Sequence, residues 1–251
     1  MRVTILPNMF LLPAETSNYQ FPPVDLASPE GLLAVGGDLR AERLLEAYRH
    51  GVFPWYNEGQ PILWWSPDPR AVLFLDDLKI SRSLRKTLRR GRFSVTMDTQ
   101  FRQVAEACSA PRARTDTPGT WIHPEMIDAY CQLHNMGHAH SVEVWQDDVL
   151  VGGLYGLSLG GAFFGESMFN RATDASKVAL VQLVRQLQHW QFDFIDAQIS
   201  SEHLTSLGAK EVRRNRFITL LNQSLETPSR IGQWVFETEL CILNSYKEES
   251  E

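Results

Sequence analysis

The sequence predicts an α+β fold, and three stretches predict it. Residues 141–168 read as a β-meander: SVEVW, a QDD turn, VLVGGLYGLSL, a Gly160-Gly161 turn, then AFFGESMF. Alternation with tight polar or glycine turns between the runs favours antiparallel pairing. Residues from Ala175 to about Trp190 are apolar on most faces, through Val178, Leu180, Val181, Leu183, Val184 and Leu187, as in a buried helix. FDFIDAQI, at 192–199, then reads as a central strand with aromatic and β-branched residues around Asp196. Strand, helix and strand together have the length of a parallel crossover unit. Thr173 or Asp174 is the expected helix cap, because a short side-chain oxygen accepts an N–H of the first turn.

This unit carries three polar side chains where a core prefers none: Glu166, Asp196 and Gln198. Positions i and i+2 share a strand face, so Asp196 and Gln198 are expected to project together, with Ile195, Ala197 and Ile199 opposite. Buried carboxylates need partners. Two readings stand side by side: a hydrogen-bonded pair that fixes strand register, or a reacting centre.

The earlier chain divides into a small α+β segment, 1–69, and the remainder, 70–251. In the first, Leu39 to Arg49 reads as a short helix closed by Gly51. Trp55, Tyr56, Trp64 and Trp65 follow near prolines, either as a small core that needs bulky rings or as a stacking platform for bases. AVLFL from Ala71 reads as a strand. Lys79, Arg82, Arg85, Lys86, Arg89, Arg90 and Arg92 then crowd into one stretch without an acid, either as a solvated face or as a phosphate-binding surface. Phe93 to Met97 reads as a strand and Thr99 to Ala110 as a helix. His123-Pro124 opens another helix, which Gly137 ends. His134, His138 and His140 invite a metal reading, but Gly137 breaks the helical spacing and no acid or cysteine joins them; the helix dipole accounts for a terminal histidine, and no metal is expected. RNRFITLLNQSL reads as a late helix.

Composition bounds the classes. A chain of 251 residues with 43% hydrophobic content can bury a sizeable core. A formal net charge of −6 argues against wholesale nucleic-acid coating but leaves room for a local basic patch. Cys108, Cys131 and Cys241 form no CxxC pair, which suggests reduced thiols and a cytoplasmic protein. The N-terminal apolar run is short and broken by prolines, so neither a membrane span nor a signal peptide is expected.

The order of meander, helix, strand and helix resembles the fold of GCN5-related N-acetyltransferases. A more specific resemblance lies in GLLAVGGDL, AYRHGVFPWY, PILWWSPDPRAVL, GTWI, GHAHSVEVW, LVGGLYG, FGESMF, ASKVAL and IDAQ. Together, in this order and over nearly the whole chain, these motifs are similar to the bacterial leucyl/phenylalanyl-tRNA–protein transferases. The resemblance implies an N-end-rule enzyme that tags proteins for degradation. Such an enzyme moves Leu or Phe from aminoacyl-tRNA to proteins or peptides with N-terminal Arg or Lys, and the activated ester makes ATP or another cofactor unnecessary. It also implies roles for residues. Asp196 and Gln198 match the reacting centre and Glu166 lies beside it, with Asp196 orienting the Gln198 amide towards the attacking amine. Trp55, Trp121, Tyr48 and Tyr130 match positions near the aminoacyl-adenosine. Met168 and Ile195 are expected to line the amino-acid pocket.

Two rivals share these features: a CoA-dependent N-acetyltransferase and a non-catalytic tRNA-binding module. A CoA-binding relative carries an Arg/Gln-x-x-Gly-x-Gly/Ala loop before the crossover helix, whose N–H groups cradle a pyrophosphate. Here that place reads Arg171-Ala172-Thr173-Asp174-Ala175-Ser176, with an acid at the first glycine position. Calorimetric titration with acetyl-CoA is therefore expected to show no binding at concentrations where an aminoacyl-adenosine analogue binds. Saturable binding with acetyl transfer to an amine would reverse the assignment.

Overall fold

The computed structural model describes residues 10–14, 16–110 and 122–237. The first part contains β1 (Phe10–Leu12), β2 (Leu32–Gly36), α1 (Ala41–Arg49), β3 (Phe53–Pro54) and β4 (Leu63–Trp65). These strands form a four-stranded sheet in the order β1-β2-β4-β3. Then come β5 (Arg70–Phe74), α2 (Arg82–Arg90), β6 (Ser94–Met97), α3 (Phe101–Ser109) and α4 (Pro124–Asn135). The meander is β7 (Ala139–Gln146), β8 (Val149–Leu159) and β9 (Ala162–Asn170), followed by α5 (Ala175–His189) and β10 (Phe194–Gln198). The last elements are α6 (Glu202–Ser206), β11 (Lys210–Val212) and α7 (Arg214–Ser224).

The second sheet has seven strands in the order β11-β5-β10-β9-β8-β7-β6. Its meander is antiparallel, as the alternation predicts. The QDD turn works because Asp147 and Asp148 both adopt positive φ, 51° and 59°, matching the twist of a tight hairpin. β10 pairs parallel to β9 across the α5 crossover and antiparallel to β5. The α+β class and the order of meander, helix, parallel strand and helix are those expected.

Two hydrophobic clusters cover the two faces of this sheet. One gathers Tyr48, Trp64, Phe101, Tyr130, Phe164, Phe194 and Phe217 from α1, β4, α3, α4, β9, β10 and α7. It runs across the division at residue 69. The other gathers Leu73, Leu84, Leu154, Phe163, Leu183, Ile195 and Trp234, with α5 lying along it. Trp234 comes from a segment after α7 without helix or strand. That segment is tied down at Gly160, Gly137 and Asp98 by Ser229, Gly232 and Trp234. The Trp234 ring stacks 3.6 Å from His140 and meets Trp190 and Phe192 edge-on.

One local expectation changes, and the early rings divide between the two alternatives. Asp174 stands at the N-cap of α5, but in a left-handed conformation, φ 68°, and its side chain accepts no backbone N–H of the first turn. Its carboxylate instead accepts from Thr87 Oγ1 at 2.9 Å and Lys177 Nζ at 3.1 Å. Of the four early rings, Trp64 and Tyr56 are buried and belong to the core, while Trp55 is exposed. Among the described residues no helix is long and apolar enough to cross a membrane.

Candidate active site

The β9–β10 ladder runs only from Phe194↔Ala162 to Asp196↔Phe164, although β9 continues to Asn170. Where pairing stops, a cleft of about 370 Å³ opens. Its walls are largely apolar: Leu154, Phe163, Met168, Leu183, Ile195 and Leu204. Glu166 and Gln198 are the carboxylate and amide at this cleft, and Tyr155, Ser167, Ser201 and His203 add further polar lining.

Glu166 is only 8% exposed and collects three donors. Tyr48 Oη donates to Oε1 at 2.6 Å, Tyr130 Oη to Oε2 at 2.9 Å, and Gln198 Nε2 to Oε1 at 2.9 Å. The two phenol hydroxyls also touch each other. Burial pushes the Glu166 carboxyl up to about 7, against the three hydrogen bonds that favour its charged form. Both phenols lie well above their ordinary range, first through burial and then through the facing carboxylate. A carboxylate only accepts, so it decides which end of the Gln198 amide faces it. The nitrogen does, and the carbonyl Oε1 becomes the free end. No donor among the described residues reaches it.

Asp196 is elsewhere. Its side chain is fully buried and takes a two-pronged bond from Arg70, Nε to Oδ1 at 2.8 Å and Nη2 to Oδ2 at 2.7 Å. The same Oδ1 accepts the backbone N–H of Gln198 at 2.9 Å. Asp196 therefore does not orient the Gln198 amide, as the resemblance implied; Glu166 does. The even alternation expected for β10 also stops short. A bulge falls between Asp196 and Gln198 in the pairing with β5, and Gln198 takes a positive φ of 62°. Gln198 consequently lines the cleft together with Ile195 and Ala197, residues expected on the opposite face.

The remaining expectations divide. Met168 and Ile195 line the cleft. Tyr48 and Tyr130 have no exposed surface, so they brace Glu166 rather than offer faces to an adenosine. Trp55 is 40% exposed and packs edge-on to Trp65 at 5.9 Å. Trp121 lies outside the described residues. Lys79, Arg82, Arg85, Lys86, Arg89, Arg90 and Arg92 are all exposed, most of them on α2. None of them forms an ion pair with another described residue. His134 Nδ1 lies 2.8 Å from the Ala139 carbonyl and His140 Nδ1 2.8 Å from Asp98, and among the described residues no group of three ligating side chains is placed for a metal. Sequence reasoning missed Arg70, the partner of Asp196. Its signal was a lone arginine heading the apolar run AVLFL, a cation that a buried strand tolerates only opposite an acid.

Comparison with known proteins gives one family. The pattern described as leucyl/phenylalanyl-tRNA protein transferase matches residues 72–222, and that of the N-terminal domain of the same protein matches residues 37–68. The leucyl/phenylalanyl-tRNA–protein transferase of Nitrosomonas europaea is 56% identical over 223 residues, covering 88% of this chain and 94% of the relative. That of Stutzerimonas stutzeri is 59% identical over 211 residues, covering 83% of this chain and 92% of the relative. Among solved structures, a GCN5-related N-acetyltransferase from Kribbella flavida is 10% identical with a TM-score of 0.33, over 66% of this chain and 59% of that chain.

The raised Glu166 carboxyl has a signature in stability. Over the interval from 4.5 to about 7 the folded protein holds a proton that the unfolded chain has lost. Stability therefore falls as pH rises through that interval and levels off above it, by on the order of 3 kcal/mol. Urea unfolding across pH 4 to 8 is expected to show this slope in the wild type and a flatter profile in Glu166→Gln. Identical pH profiles would mean that Glu166 titrates in its ordinary range.

Proposed function

This chain belongs to the leucyl/phenylalanyl-tRNA protein transferase family, and we propose that it moves Leu or Phe from aminoacyl-tRNA to the α-amine of proteins beginning with Arg or Lys. One observation supports this chemistry best. A carboxyl poised near neutrality aims a glutamine amide, carbonyl outward, at the mouth of an apolar cleft.

The reaction is aminolysis of an ester. The amine nitrogen bonds to the aminoacyl carbonyl carbon, and the bond from that carbon to the ribose oxygen breaks. The proton shed by the nitrogen ends on the leaving hydroxyl. A free α-amine has a pKa of about 7.7–8.0, so a useful fraction is neutral near pH 7 without a strong base. What the site has to supply is placement. Gln198 Oε1 accepts an N–H of the amine and so directs its lone pair at the ester. Glu166 holds the amide in that orientation and, when ionised, offsets the positive charge that grows on nitrogen. Tyr48 and Tyr130 keep the carboxylate in place. Asp196 acts at one remove, through the Gln198 backbone.

The cleft walls receive the aminoacyl side chain. Met168 and Ile195 take either a branched or a flat apolar group, and a thioether adapts to both. Trp55, 40% exposed, offers a stacking face to the terminal adenosine. The cations on α2 and its flanks, Lys79 to Arg92, meet tRNA phosphates by charge alone. A charged tRNA as donor makes the cytoplasm the place of work.

Transfer from Leu-tRNA to an Arg-started peptide tests the reading directly, and absence of transfer by the folded protein would reject it. Gln198→Ala is expected to lower turnover about 100-fold while leaving tRNA affinity within about twofold, since loss of placement costs rate rather than binding. Near-normal turnover in that variant would remove the amide from the mechanism.

Replacing Arg85, Lys86, Arg89 and Arg90 together by Ala is expected to weaken tRNA binding and flatten its salt dependence. Each lost phosphate contact reduces the log–log slope by about 0.7–0.9. An unchanged slope in filter binding at graded salt would make α2 a solvated face.

A further inference from the structure

Arg70 makes contacts that reach both ends of the Glu166 network. Its guanidinium is fully buried and lies over two rings, 4.8 Å from the centre of Phe53 and 4.6 Å from that of Phe217. One edge carries the fork to Asp196. The remaining nitrogen, Nη1, donates to the Gly51 carbonyl at 2.9 Å. Asp196 in turn holds the backbone of Gln198 at the bulge. Gly51 closes α1, with its own N–H on the Tyr48 carbonyl at 3.0 Å. One cation thus fixes the strand end that presents Gln198 and the helix end that presents Tyr48, and both of these bond to the same oxygen of Glu166.

We infer that Arg70 is a positioning residue for the transfer reaction, setting the distance between Gln198 and Tyr48 across Glu166. The inference rests on the transfer reading. Its physical basis is that a buried ion pair contributes little net stability, because desolvation consumes most of the attraction. What such a pair does supply is a fixed geometry. Arginine suits the task and lysine does not: the planar fork spans both carboxylate oxygens, reaches a third acceptor and stacks on rings, while an ammonium offers one point of charge.

The test compares wild type, Arg70→Lys, and the apolar double variant Arg70→Met with Asp196→Leu, each checked for cooperative unfolding. The wild type must transfer Leu; if it does not, the transfer reading fails and the variants say nothing about it. Given transfer, both folded variants are expected to lose kcat by about 100-fold with KM for Leu-tRNA within about twofold. In Arg70→Lys, which keeps the Asp196 carboxylate whose charge itself raises Glu166, the midpoint of the pH–rate profile that follows Glu166 is expected to rise, because loosened Gln198 and Tyr48 no longer favour its charged form. A residue that only stabilised the fold would move neither reading. Folded variants with kcat within about twofold of wild type, and an unmoved midpoint in Arg70→Lys, would overturn the inference. Failure of both variants to fold would also overturn it, by assigning Arg70 to stability.

Discussion

A guanidinium shut away from water must be matched on every side, and the architecture around Arg70 meets that demand. Asp196 supplies the countercharge, Gly51 a third acceptor, and Phe53 and Phe217 two ring faces. These partners come from β10, the end of α1, β3 and α7. Their meeting brings the first sheet, the second sheet and the late helix together at one point. Nothing in the hydrophobic effect is directional enough to do this. The rings could pack in several ways, but the fork accepts one.

Glu166 is the second constrained group, and its constraint is of the opposite kind. Three donors stabilise its charge, yet burial outweighs them and leaves the carboxyl close to neutrality. A fully compensated carboxylate would be inert, and an uncompensated one would stay protonated. This intermediate balance leaves one side chain that holds the Gln198 amide and responds to pH near neutrality. The phenols are part of the balance, since each donates to the carboxylate and neither ionises in that range.

How much of this was legible depends on sequence distance. The meander, the crossover helix and the strand that follows it were readable because alternation, helical patterning and turn residues act over a few positions. The site was readable only in its members. Asp196 and Gln198 drew notice as polar residues in an apolar strand, but the partner of Asp196 lies 126 residues away and that of Glu166 on α1 lies 118 away. No local pattern announces such pairs. The expected shared face of Asp196 and Gln198 gave way at the bulge, because one extra residue shifts the pleat. The family resemblance put Tyr48 and Tyr130 against the substrate, whereas both are fully buried and bonded to the Glu166 carboxyl. Asp174 did not cap α5 with its side chain because its left-handed backbone turned the carboxylate towards Thr87 and Lys177.

The position of Trp234 bears on how the chain reaches its final form during synthesis. The ring fills the space bounded by His140, Phe163, Trp190 and Phe192, all of which precede it in the chain by about forty residues or more. On a ribosome delivering residues from the N-terminus, the sheet and α5 emerge while that space still lacks its occupant. The α5 side of the sheet is thus sealed after the opposite face has its helices in place. A nascent chain stalled before residue 234 would present an open apolar hollow to chaperones, and release of the last segment would close it.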